Sequence, residues 1–480
     1  MKNNQKGVII EFILVFGAIF LILLGALLGY IVGQLKAANM RAASTLSFDI
    51  AESGLNFYRW CLNHNIDAQC LGEHDYYDAA GAVIGKFNIT AQITAYCGVA
   101  SQYKITSTGW TNKFPQRRQT IIADYARPSV AQYSYILNSN VWIGDDHTIR
   151  GQYHSNGGIR MDGQNQSLIA SAAILNGQGA WICNDSFDCN PCPTAAGQCH
   201  LSGGSCVCPG VFTTTNNATV SLFSYPVTPF DFNAITISLA AIKDKAWHAG
   251  GIYLPKSSTL NSNGKGYHLK FRSDGTMQVY IVTGVSRTYG CANDCTQSSD
   301  WQYDYFTISS EYLYNTYTIP LTCSAIYGED NLWVEGVIKG KVVVASANLI
   351  DTNVNTDIIL DNNITYASDG STDGLSLIAQ RNILIGPDSA NNLELHGIFT
   401  AQKGHFGRNH YPNNMKNSLI IYGSIVSNGR VGTQWISDGQ MVSGYAQRET
   451  YYDQEQIKNP PPFIGATSPD YKIVNWRQTN

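Results

Sequence analysis

The chain has 480 residues, enough for roughly two to four domains and at least one sizeable core. Apolar residues make up 44%, which excludes a wholly disordered chain, and the low charged fraction of 14%, with 44 Gly and 28 Tyr, points to a β-rich exported protein rather than a helical cytosolic enzyme. The net charge of −4 leaves no electrostatic footprint for nucleic acid.

The first element is apolar. Phe12 to Val32 carries no charge over 21 residues, which as a helix spans about 31 Å and crosses a hydrocarbon core. Lys2 and Lys6 precede it, so the N-terminus is expected to stay in the cytoplasm while the remainder is exported. The helical pattern does not stop at the membrane: Leu35, Ala38, Ala42, Leu46, Ile50, Gly54, Phe57 and Cys61 step by three or four along one stripe. The competing expectations are a secretory signal cleaved near Ala42-Ala43 and a plain signal anchor.

Lys6-Gly7-Val8-Ile9-Ile10-Glu11-Phe12 resembles the processing site of type IV pilins and minor pilins, and Ala51-Glu52-Ser53-Gly54-Leu55 is similar to the helix motif of PilX-type proteins. The resemblance implies a leader at 1–7 that a prepilin peptidase cuts between Gly7 and Val8. It implies a retained transmembrane and amphipathic helix over 8–62. It also implies an assembly role for Glu11 through the α-amino group of a neighbouring subunit. Here the sequence departs from the family: Glu11 falls at mature position four instead of five. The implied setting is the inner membrane, single-pass with the C-terminus outside, and then the pilus or cell surface. The implied partners are other pilins and minor pilins, docked through this helix.

Residues 63–130 are expected to form a small pilin-like antiparallel sheet. Phe87, Ile89, Ala91 and Ile93 alternate; Tyr103 to Gly109 and Thr120 to Tyr125 follow, with Arg117-Arg118 at a hairpin end. Cys61 and Cys70 are placed to close a local loop, with Cys97 in the same region. The boundary is set at Arg127-Pro128.

Residues 131–480 read as a large β-solenoid, similar to a parallel β-helix, with a β-sandwich as the alternative. Short apolar rungs alternate with Gly, Asn and Asp: Val141-Trp-Ile143, Ile159-Arg-Met161, Lys341 to Ser346, Asp357 to Leu360, Leu375 to Ala379, Leu393 to His396 and Ser418 to Tyr422. The last four begin 18, 18 and 25 residues apart, a spacing read as one rung per coil. Asn and Gly at the corners suit left-handed turn positions. Between two solenoid-like parts lie a helical patch, Ile235 to Trp247, and a hairpin turning at Asp274-Gly275. His154-Ser-Asn-Gly-Gly-Ile159, the run 334–342 and the close from Glu449 to Trp476 resemble coils of exported PilX-like proteins.

Cys183, Cys189, Cys192, Cys199, Cys206 and Cys208 form a Cys-rich insertion at 183–208, and Cys291, Cys295 and Cys323 follow. Zinc, from Cys189, Cys192, Cys199 and His200, competes with disulfides; export favours disulfides, so no metal or cofactor is expected. Asp351-Thr-Asn353-Val-Asn355-Thr-Asp357 spaces oxygen ligands as a calcium loop does, but lacks its Gly and closing Glu. The expected function is a minor-pilin-like subunit, not an enzyme, that displays its solenoid for adhesion to a surface or glycan, or for pilus assembly. One alternative is a tethered β-helix that degrades polysaccharide with Asp145, Asp146, His147, Arg150 and His154. The other is a signal-anchored envelope protein with no pilus role.

Overall fold

The computed structural model describes residues 6–183, 189–196, 198–235, 237–292, 295, 297–351, 353–368, 370, 372–437 and 439–479. It divides into two compact units: Met1–Ile93 with Gln102–Ala126 and Tyr471–Asn480, and Thr94–Ser101 with Arg127–Asp470. The protein is mainly β, with a long N-terminal helix.

In the first unit one helix, α1, runs from Lys6 to Asn63 without interruption, 58 residues or about 87 Å. It contains no proline, and Leu, Ala and Ile dominate its first half. Four antiparallel strands follow: β1 (Gly72–Tyr77), β2 (Val83–Tyr96), β3 (Val99–Thr111) and β4 (Phe114–Ala126). The second half of α1 buries Ile50, Ala51, Leu55, Tyr58 and Leu62 against Phe87, Ile89, Ile105, Ile121, Ala123 and Tyr125 of the sheet. The stripe read from sequence holds at Ile50, Gly54 and Cys61. It fails at Leu35, Ala38 and Ala42, which are exposed.

A fifth strand completes this sheet. Lys472–Thr479 pairs antiparallel with β4, Ile473 opposite Tyr125 and Trp476 opposite Ala123. The expected division, with 131–480 as one exported region, is therefore corrected: the chain leaves the small sheet after Ala126 and returns at residue 471. The sequence obscures this because the strand lacks strict alternation (most of its residues are exposed), so local pattern ties it to no sheet.

In the second unit two long series of strands pair parallel and in register, while Gly266–Phe271, Thr276–Cys291 and Trp301–Thr318 pair antiparallel. One ladder runs Ile252–Leu254, Ala325–Gly328, Lys341–Ser346, Gly374–Ala379, Ile398–Ala401, 424–427, 135–137, 153–155, Ile169–Ser171 and Phe223–Ser224. A second runs through Leu332–Trp333, Ile358–Leu360, Ile383–Ile385 and Phe406–Gly407. Apolar side chains from these ladders fill one continuous core, including Ile326, Val344, Leu377, Phe399 and Ile425.

Two expectations about this region change. The rungs at Asp357 and Leu375 belong to different ladders, so the 18-residue step is not a coil. In-register partners lie further apart, as in Val343 with Ser376, Ser376 with Ile398 and Ile398 with Ser424. Successive apolar triplets along the chain fall in more than one ladder. The two solenoid-like parts are also not separate: Ile425–Ser427 pairs directly with Tyr135–Leu137, so residues 133–224 continue the stack built by 325–427. The intervening segment holds the helices Phe232–Ile235 and Leu239–His248. It also holds the strand Gly266–Phe271, joined to Thr276–Cys291 by the Asp274-Gly275 turn, with Gly275 at φ +88°.

Left-handed backbone, as expected of corner asparagines, is found at Asn176 (φ +52°) and Asn413 (φ +56°), whereas three others pair through their amides. Asn156 Nδ2 donates to Asn138 Oδ1 (2.9 Å) and Asn138 Nδ2 to Asn428 Oδ1 (2.9 Å), an amide ladder across three stacked corners. Asn156 Oδ1 also accepts from the Phe230 backbone N–H (2.9 Å). Amide pairing between stacked strand ends, not left-handed backbone, explains these three positions.

Candidate functional site: the apolar helix and the sheet that holds it

From Ile9 to Leu35 the side chains of α1 are exposed, among them Phe12, Phe16, Phe20, Leu24, Leu28 and Ile31. The helix is long and apolar enough to cross a membrane. An apolar surface of that extent in water is unfavourable at about 25 cal/mol per Å², so it demands lipid or other helices. Glu11 is an exposed acid at the start of this stretch. Residues 1–5 of the expected leader lie outside the described residues; Gly7 and Val8 lie within α1.

The small sheet grips the second half of α1 by close backbone approach. A Cβ on Gly109 of β3 would lie 2.4 Å from the Ala51 amide nitrogen and 2.5 Å from the Ser47 carbonyl oxygen. A Cβ on Gly54 would lie 2.3 Å from Ser107 Oγ and 2.9 Å from the Phe87 ring. Glycine on both sides lets helix and strand meet where a side chain would separate them. Tyr125 Oη, buried, donates to the Leu55 carbonyl (3.0 Å), and burial pushes its phenol well above the usual range. Cys61 and Cys70 form a disulfide that closes the helix end onto the following turn. Beside the helix, Phe48, Glu52, Leu55, Asn56, Ile121, Ile473 and Trp476 line a groove of about 160 Å³, with the Trp476 indole edge-on to Phe48.

All twelve cysteines are paired. Beyond Cys61–Cys70 the bonds are Cys97–Cys323, Cys183–Cys189, Cys192–Cys206, Cys199–Cys208 and Cys291–Cys295. Every cysteine of the zinc alternative is thus held in a disulfide, and His200 is exposed. Cys97 belongs with the large unit, not with the Cys61 region, and its partner lies 226 residues away.

The calcium-like run does not converge. Asp357 is buried and takes Arg381 Nε (2.9 Å) and Nη2 (2.5 Å), as well as the Asn382 amide; Asn355 Oδ1 takes Lys403. In the polysaccharide alternative, Arg150 faces Glu449 (3.6 Å). Asp146 is engaged by Arg448 and Gln434 Nε2. His147 packs inside beside Thr450, and burial pushes its imidazole well below the usual range. His154 bonds Asn156 and packs on Phe230. Asp145 is exposed.

No protein-family model matches the chain, and no curated protein matches it. Among solved structures, the crystal structure of competence-associated pilin ComZ from Thermus thermophilus is similar at 14% identity and a TM-score of 0.29. That match covers 91% of this chain and 97% of that chain.

Proposed function

We propose that the chain is a minor-pilin-like subunit of type IV pilus machinery. The observation that carries this reading is the single rod of α1, apolar and uncovered from Ile9 to Leu35, then locked to a small antiparallel sheet from Ala43 onward. A cleaved signal near Ala42 has no need of a helix that continues through the cut. A simple anchor has no need of a rigid extension. In this reading prepilin peptidase removes residues 1–7, α1 holds the subunit in the inner membrane, and lateral packing with the helices of other pilins assembles it. Glu11, a carboxylate at the membrane edge, acts through a neighbour's α-amino group, displaced by one position from the family pattern. The parallel ladders form a β-solenoid displayed outside the membrane for adhesion or assembly.

Site-specific photocrosslinking tests the docking. A photoreactive residue at Leu24 or Leu28 of the full chain, in its native membrane, is expected to capture the apolar helix of another pilin-like subunit. Capture of lipid alone, with surface fibres unchanged when the chain is deleted, favours the signal-anchored envelope protein instead.

A further inference from the structure

A cavity of about 230 Å³ opens where Leu332–Ile338 meets the strand Trp301–Thr318, lined in part by His268, Thr307, Trp333, Glu335, Asp361 and Asp388. The two aspartates reach it by ladder register. Leu360 pairs with Ile385, so Asp361, the residue after one rung, comes to lie against Gly386, the residue after the next. A Cβ at Gly386 would sit 2.0 Å from Asp361 Oδ1, so glycine there makes room for the carboxyl.

The donors on this wall are already spent. Thr307 Oγ1 donates to Asp388 Oδ2 (2.7 Å), and Trp333 Nε1 to the Phe306 carbonyl (2.5 Å). His268 lies between Glu311 at Nδ1 (2.8 Å) and Glu335 at Nε2 (3.4 Å). Acceptors remain. Asp361 Oδ1 is buried and has no hydrogen-bond partner. A buried carboxyl oxygen without a donor is costly, and two aspartates side by side repel each other.

We propose that this cavity binds the ammonium group of a small organic amine, with Asp361 and Asp388 as its acceptors. An ammonium brings three donors and one positive charge to a wall that has spare acceptors and like-charge repulsion. A neutral hydroxyl brings one donor and relieves no repulsion. The assignment goes beyond the assembly role and does not rest on it.

The proposal carries a pH dependence. Burial, and then the neighbouring Asp388, push the Asp361 carboxyl up to about 7. His268 and Lys416 oppose this and Glu335 adds to it, and Asp361 also acts on Arg408, Tyr411 and Tyr445. Glu335, hydrogen-bonded by His268, is held down at about 2 and stays ionised across the range used. Amine binding at neutral pH therefore drives Asp361 to ionise and releases a proton, and affinity falls as pH drops below about 7.

Isothermal titration of the full chain in detergent tests this with n-propylammonium, glucosamine and glucose. The two amines are expected to bind, with glucose at least tenfold weaker and with heats that track the buffer's ionisation enthalpy at pH 7. Asp361→Asn is expected to weaken amine binding tenfold or more and to abolish the proton release. Asp388→Asn, at an exposed position, gives the same test should the first variant fail to fold. Glucose binding as tightly as glucosamine, amine affinity untouched by both substitutions, displacement of the amine by submillimolar calcium, or no heat with any probe would each overturn the proposal.

Discussion

Gly109 shows how much of this protein depends on atoms that are missing. Its added Cβ would strike main-chain atoms of α1 at Ala51 and Ser47, and backbone gives way less easily than the end of a side chain. Gly109→Ala is expected to cost about 1–3 kcal/mol in the small unit, as overpacking does. Thermal unfolding followed by helical circular dichroism checks this, and an unchanged midpoint would contradict the close-approach account. Gly423 poses a related problem in the large unit. It sits at φ +139°, and a Cβ there would lie 1.9 Å from the Gly397 carbonyl of the coil it pairs with. Gly423→Ala is expected to lower the unfolding temperature of the parallel ladder while leaving the helical signal of α1 unchanged; no shift would show that the coils are free to move apart. At this scale the sequence was partly legible. Gly54 and Cys61 fell on the buried stripe because helical period is local. The pairing of Cys97 with Cys323 was not, because no local pattern encodes a contact across 226 residues.

The elements divide in the same way. The long helix was readable from composition and spacing, and the hairpin turn from Asp274-Gly275, since both depend on neighbours in sequence. The rungs were visible as apolar triplets, yet their stacking was misread: a triplet shows which residues go inside and not which face of a coil it occupies. The strand Lys472–Thr479 was missed for want of alternation. Its pairing with β4 gives a direct expectation. Ending the chain after Asp470 should expose the far edge of β4 and open the groove lined by Ile473 and Trp476. The small unit is then expected to become sensitive to limited proteolysis within β3 and β4, while fragments of the large unit persist. Equal resistance of both units would contradict a structural role for the returning strand. Within α1, Ile50→Ala removes a fully buried side chain and is expected to cost about 2–5 kcal/mol, read from the same unfolding signal.

For the molecule as a whole, the order of the chain and the order of the stack differ. Residues 133–137 enter the ladder beside 425–427, 223–224 lie at one end, and 252–254 at the other. The chain then returns strand by strand to its point of entry and rejoins the small sheet. Most of the large unit, Arg127–Asp470, is thus inserted between two neighbouring strands of the small one, a relation that no single segment of sequence displays. The amine cavity was equally hidden. His268, Glu335, Asp361 and Asp388 lie on separate rungs and loops, and only ladder register brings them to one wall. The helix, by contrast, carries its meaning in a continuous run, and the functional reading depends on that run being kept. Mass spectrometry of the protein extracted from its native membrane measures this directly. A mature N-terminus at Val8, with α1 intact, is the predicted result. An N-terminus near Ala42, with the apolar half removed and the product free in water, would contradict the account.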